Sequence, residues 1–409
     1  MYNNVRNSVF SRRNIATLYL LAMCVQLVFF ESSGVSPVKV TLMAIAPILL
    51  LWKADCFSRA VIWGSVYVVA VLFFAMLHFQ MRFSTIGFLG MCIITFMLYY
   101  NLLYKNAFSL TYFISLIRFI IIAYGIVIIL QQLFILVGIH NFPILNLMGQ
   151  AFLDVTKVPS LSLEPSHSAR IMGAAYYSYL YSNTLLNGRN LTLKEIFSKN
   201  HRMVTISFLW GMLTMGSGTA MVFLSIIGLY FVKGRSAFIS VPILLLFAFF
   251  LNSLGDENIL RVQNMTEAVI TGDVENIIAA DHSGASRITP IVNTINNIDV
   301  NSQSFWIGNG TLMENTDVDS YDDDMRSKQI STIEQYGYIA WIISLIFVYR
   351  CIIRKFWSLE TAIFILAMGF NVGNIYYVWG IFMMFAALKY FSVLSKHHMG
   401  CNQKRNELS

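Results

Sequence analysis

The chain has 409 residues, of which 57% are hydrophobic and 12% charged, with a formal net charge of +7. A soluble domain carries roughly 25% charged residues, so this composition, with a mean hydropathy of +0.63, excludes an ordinary water-soluble protein and predicts an integral membrane protein. The basic residues stand at the ends of apolar stretches, which reads as membrane topology and not as a nucleic-acid surface.

A spanning helix needs about 20 mostly apolar residues. Spans are predicted near 15–31, 36–52, 60–79, 86–104, 112–139, 167–186, 203–216, 218–232, 237–252, 336–350, 359–373 and 376–393. The predicted fold class is therefore all-α: a polytopic membrane protein of about 12 transmembrane helices. The first apolar run has no small-residue cleavage site behind it and reads as a retained helix. Gly216-Ser217-Gly218, between two short spans, reads as a tight re-entrant turn.

Short loops set the orientation. Arg12 and Arg13 precede the first span; Lys53 and Arg59 follow the second, and Lys105 the fourth. Arg189, Lys194, Lys199 and Arg202 follow the sixth, Lys233 and Arg235 the eighth, Arg350, Arg354 and Lys355 the tenth, and Lys396, Lys404 and Arg405 the last. All fall on one side, which is therefore predicted to be cytoplasmic, with both termini inside. Three regions result: 1–252, with spans one to nine and an outer loop at 140–166; a large outer loop at 253–335; and 336–409, with the last spans and a cytoplasmic tail.

The large loop holds most of the acidic residues. Within it Ile288, Ile291, Val292, Ile295 and Ile298 recur at helical spacing, Ser286 can cap that helix and Pro290 suits its first turn. The loop is thus predicted to be a partly helical cap on the outer face. The cysteines Cys24, Cys56, Cys92, Cys351 and Cys401 all fall outside the outer segments, which argues against a disulfide framework.

No GxGxxG opens a helix and no GxxxxGK[ST] is present, so no nucleotide cofactor is expected. Asp317-Val318-Asp319-Ser320-Tyr321-Asp322 loosely resembles a calcium loop but lacks its glycine and ends on Lys328, and reads as a solvated acidic face. His78, His140, His167 and His282 fall at the predicted outer face without ligand spacing, so no metal is expected.

The chemistry gathers in Ser160-Leu161-Ser162-Leu163-Glu164-Pro165-Ser166-His167-Ser168-Ala169-Arg170. Ionisable groups inside a membrane protein are costly and mark function by default. Pro165 predicts a helix start, which stacks Glu164, His167 and Arg170 along one side at i, i+3, i+6. The plain alternative is a capped helix with an i,i+3 contact. Arg82, His282 and Arg287 join these as outer candidates. Arginine forks suit phosphate oxygens, and carboxylate and imidazole are the usual general bases. For Arg82 the alternative is a residue at headgroup level, for His282 a solvated loop residue.

A family resemblance rests on short motifs in order. Leu163 to Ala169 resembles the EPS-x-x-A stretch of bacterial O-antigen and exopolysaccharide polymerases of the Wzy type. Thr214-Met215-Gly216-Ser217-Gly218-Thr219-Ala220 resembles their T-x-S-x-[ST]-[GA] segment. Ser286-Arg287, the apolar helix and Trp306-Ile307-Gly308-Asn309-Gly310 resemble their large outer loop, and Glu334-Gln335-Tyr336-Gly337 the E-x-G that restarts their membrane helices. The series covers residues 110–390; the arginine-repeat pattern of some members is not evident.

The resemblance implies an enzyme of the bacterial cytoplasmic (inner) membrane. A polyprenyl-diphosphate-linked glycan would donate its chain to a hydroxyl of another lipid-linked repeat unit, without cofactor or metal. Glu164 and His167 would be catalytic, with Arg170, Arg287, Arg82 and His282 binding diphosphate or substrate. Expected partners are the lipid-linked oligosaccharide, the bilayer, a chain-length regulator and a flippase, with no nucleic acid. The alternatives are an O-antigen ligase and a transporter or flippase of lipid-linked oligosaccharide; a transporter should instead show broken helices with polar groups near the midplane.

Overall fold

A computed structural model describes residues 11–25, 36–78, 83–139, 157–231, 300–310, 332–368 and 376–406. The described elements are all helical: α1 (Arg12–Cys24), α2 (Pro37–Lys53), α3 (Arg59–Met76), α4 (Phe83–Tyr104), α5 (Leu110–Leu136), α6 (Pro165–Asn187), α7 (Leu193–Ile196), α8 (Arg202–Thr214), α9 (Gly218–Gly228), α10 (Gln303–Ile307), α11 (Thr332–Cys351), α12 (Leu359–Met368) and α13 (Tyr376–Asn406). Arg59–Met76, Phe83–Tyr104, Leu110–Leu136 and Tyr377–Ser395 are long and apolar enough to cross a membrane. The protein is thus helical, with several helices able to span a bilayer. The predicted span at 237–252, the amphipathic helix at 286–298 and the calcium-like stretch lie outside the described residues.

Sequence accounts for the helix starts. Ser11, Ser58 and Ser109 each accept a bond from a backbone N–H three residues on, at 3.2, 3.4 and 3.2 Å, the usual N-cap device. Proline opens α2 and α6. Two helices absent from the sequence reading are short, α7 and α10, and the last helix runs past the predicted 393 to Asn406.

The bundle is built around α6. Although α6 is rich in serine, tyrosine and asparagine, its residues are buried almost without interruption from Ser166 to Asn183. It packs against α5, α8, α9, α12 and α13, so protein surrounds it. Small residues make this possible, because they let helix backbones approach closely. At Gly173 a Cβ would stand 2.2 Å from the Phe223 ring of α9, so the helices meet where the side chain is missing.

The basic loops are braced from within. Asn101 donates to the carbonyls of Ala54 and Cys56 at 2.8 and 2.9 Å and clips the α2–α3 connection to α4. Lys389 of α13 donates to the carbonyls of Tyr349, Arg350 and Ile353 at 3.0, 2.8 and 2.7 Å, satisfying groups the end of α11 leaves open. Between α6 and α8, Thr192 and Glu195 form a capping box and Arg189 grips the same carboxylate. The Arg189 guanidinium, with the Thr192 backbone and hydroxyl, holds the Glu195 carboxyl down to about 2.

Candidate functional site

The connection entering α6 is fixed by polar groups of the apolar helix α5. Ser160 has a left-handed backbone, φ 56°, which a non-glycine residue holds only when its surroundings require it. Gln131 supplies that requirement. Its side chain accepts from the Ser160 N–H at 2.8 Å and donates to the Ser160 carbonyl at 3.0 Å. The Ser160 hydroxyl donates to the Tyr124 carbonyl at 2.8 Å, and Ser162 lies 3.2 Å from the Tyr124 hydroxyl. Ser168 donates to the Pro159 carbonyl, closing the turn onto α6. Gln131 and Tyr124 escaped the sequence reading; the available signal was polar side chains inside a long apolar span.

This turn delivers Glu164 to the N-cap of α6, where its side chain makes no capping bond. The Ser166 hydroxyl donates to the Glu164 carboxylate at 3.2 Å. His167 Nε2 lies 3.6 Å from the same oxygen, with 53% of the Glu164 side chain and 17% of the His167 side chain exposed. That separation suits an ion pair when the imidazole is protonated, and is longer than a hydrogen bond. The acid is therefore accessible and the imidazole half-sheltered beside it, as the i,i+3 spacing predicts.

Arg170 follows on the same side. Its Nη1 donates to the Tyr377 hydroxyl, and its Cζ lies 5.7 Å from the Tyr377 ring centroid. The His167 ring packs on the same tyrosine, with centroids 4.4 Å apart. Arg170 Nε is buried and meets no acceptor among the described residues, and no described carboxylate lies within ion-pair distance of this guanidinium. Glu164, His167 and Arg170 are thus brought together, with Tyr377 as an addition sequence reasoning missed. Arg82, His282 and Arg287 lie outside the described residues.

Two further motifs meet. Gly308 (φ 79°, ψ −172°) and Gly337 (φ 78°, ψ 175°) both occupy a backbone region essentially confined to glycine. A Cβ on Gly308 would stand 2.5 Å from the Gln335 carbonyl, and one on Gly337 would stand 2.2 Å from the Trp306 oxygen. Gly310 N–H donates to the Gln335 carbonyl at 3.1 Å, and His78 Nε2 donates to the Ile307 carbonyl at 3.1 Å. The end of the predicted outer loop is thereby clipped, backbone against backbone, to the kinked start of α11. His78 serves this clip. Gly337→Ala is expected to lower the melting temperature of the purified protein, since strain and overlap act together; an unchanged melting curve would show that the clip contributes nothing.

The turn between α8 and α9 is also anchored to α5. Gln132 Nε2 donates to the Thr214 carbonyl at 3.3 Å and Trp210 Nε1 donates to Gln132 at 3.1 Å. Gly216 takes a left-handed φ of 61°, as a tight turn between α8 and α9 requires. Among the described residues no cluster of His, Cys, Asp and Glu could hold a metal ion. Comparison with known proteins returns no matching family model, curated protein or solved structure.

Proposed function

We propose that the protein is a glycosyltransferase of the bacterial cytoplasmic membrane that polymerises lipid-linked repeat units at the outer face, with about 12 spans and both termini inside. The observation that carries this reading is the Glu164–His167–Arg170 group at the start of α6, opposite the end from which the basic loop 189–202 leaves. An accessible carboxylate stands beside an imidazole, next to a guanidinium without a carboxylate partner among the described residues. Those are the parts such a transfer needs.

In the reaction, a hydroxyl of the acceptor repeat unit attacks the anomeric carbon of the donor glycan. The new glycosidic C–O bond forms as the bond to the diphosphate oxygen breaks. Glu164 or His167 takes the hydroxyl proton, and polyprenyl diphosphate departs with its charge stabilised by Arg170 and, from the large loop, Arg287. Arg82 and His282 are assigned to the substrate rim on sequence grounds. Two lipid-linked repeat units are the substrates, the bilayer presents them, and a flippase and chain-length regulator are the fitting partners.

The test is incubation of purified protein with a synthetic polyprenyl-diphosphate-linked repeat unit. A ladder of lengthening glycans is expected. Transfer of one unit onto a lipid A-type acceptor without a ladder would replace polymerase by ligase. Passage of intact units across a vesicle membrane, without transfer, would make it a transporter.

A further inference from the structure

We propose that Tyr377 is a positioning residue that sets the Arg170 guanidinium and the His167 ring for the diphosphate of the donor; this rests on the function proposed above. Tyr377 stands at the start of α13, far from α6 in sequence, and is 1% exposed. One side chain holds two members of the group: its hydroxyl accepts from Arg170 Nη1, and its ring packs 4.4 Å from the His167 ring.

The choice of nitrogen matters. A guanidinium offers an end-on pair and a side-on pair of donors. Using Nη1 on the tyrosine leaves the side-on edge, Nε with Nη2, as the fork for two phosphate oxygens. Nε is the donor that meets no acceptor among the described residues. A long, flexible arginine side chain is thus fixed before substrate arrives, which is the condition for charge stabilisation without reorganisation. The ring contact separately limits the His167 imidazole to one orientation beside Glu164.

Tyr377→Phe keeps the ring and removes only the hydroxyl. In the full-length protein it is expected to lower kcat/KM for the lipid-linked donor about ten-fold, as the loss of one charge-assisted hydrogen bond would. The loss should include kcat, since Arg170 stabilises the departing diphosphate, while the pH profile should stay near that of the wild type. Tyr377→Leu should also shift the pH profile of kcat, because the imidazole loses its packing partner. Wild-type kcat/KM in Tyr377→Phe would overturn the proposal. So would identical losses in both variants accompanied by a lowered melting temperature, which would make the tyrosine merely structural. Binding of polyprenyl diphosphate itself supplies the second arm. If the wild type makes no polymer, the proposed function fails; the tyrosine–arginine assignment then stands if Tyr377→Phe and Arg170→Ala both weaken this binding, and falls if neither does.

Discussion

Glu164→Gln is expected to abolish long polymer while leaving the protein folded in the membrane. The carboxylate is 53% exposed and makes no capping bond, so its replacement by an isosteric amide removes little that holds the fold. Substitutions of that kind usually stay within about 0.5 kcal/mol. Chemistry gives the opposite expectation: removing a general base costs roughly 10²–10⁴ in rate. Arg170→Ala removes a charge-stabilising donor, for which about 10²–10³ is typical, and Arg287→Ala is expected to act alike. His167→Ala decides between two roles. A loss as severe as that of Glu164→Gln makes the imidazole the base and the carboxylate its orienting partner; a mild loss leaves Glu164 as the base. The measurement is the ladder formed from a lipid-linked repeat unit, normalised to membrane-inserted protein. Wild-type rates in both Glu164→Gln and Arg170→Ala would remove the site.

The helix starts and the grouping at α6 were legible because both rest on local signals. Pro165 fixes the start, and spacing then places Glu164, His167 and Arg170 on one side. Apolar length likewise gave α3, α4 and α5 to within a few residues. What was not legible is tertiary. Nothing near Ser160 in sequence announces Gln131, and nothing near Arg170 announces Tyr377, since each pair meets only through packing. The clip between Gly308 and Gly337 could be suspected from its glycines, but which backbone each would touch required the fold. Composition also concealed the role of α6. Its serines and tyrosines lower its apolarity, yet it is largely enclosed, because α5, α8, α9, α12 and α13 pack against it. Arg354 was read only as a topological charge, and its burial against Glu360 and α6 was not legible from its place after a span.

Arg354→Ala is expected to be among the most destabilising single changes in the described chain. Arg354 and Glu360 form an ion pair whose side chains are 13% and 1% exposed. Arg354 Nε donates to Glu360 Oε2 at 2.6 Å, and its Cζ lies 3.4 Å from the Tyr181 ring centroid. Its Nη2 also donates to the Tyr177 hydroxyl at 3.4 Å. The pair thus ties the α11–α12 connection to α6, at the end away from Glu164. Removing one partner of a buried pair typically costs about 3–5 kcal/mol, because the other charge stays buried without compensation. The two partners are unequal here. Without Glu360 the guanidinium keeps the Tyr181 face and the Tyr177 hydroxyl, whereas without Arg354 the carboxylate keeps little, its Oε1 already lacking a partner among the described residues. Arg354→Ala should therefore lower the melting temperature in detergent more than Glu360→Gln does. Replacing both by methionine should recover much of the loss, since apolar substitutes of similar volume are often neutral or stabilising. A near-wild-type melting temperature in Glu360→Gln, with no recovery in the double, would mean that the contacts of Arg354 with Tyr177 and Tyr181, and not the charge pair, hold this end of α6.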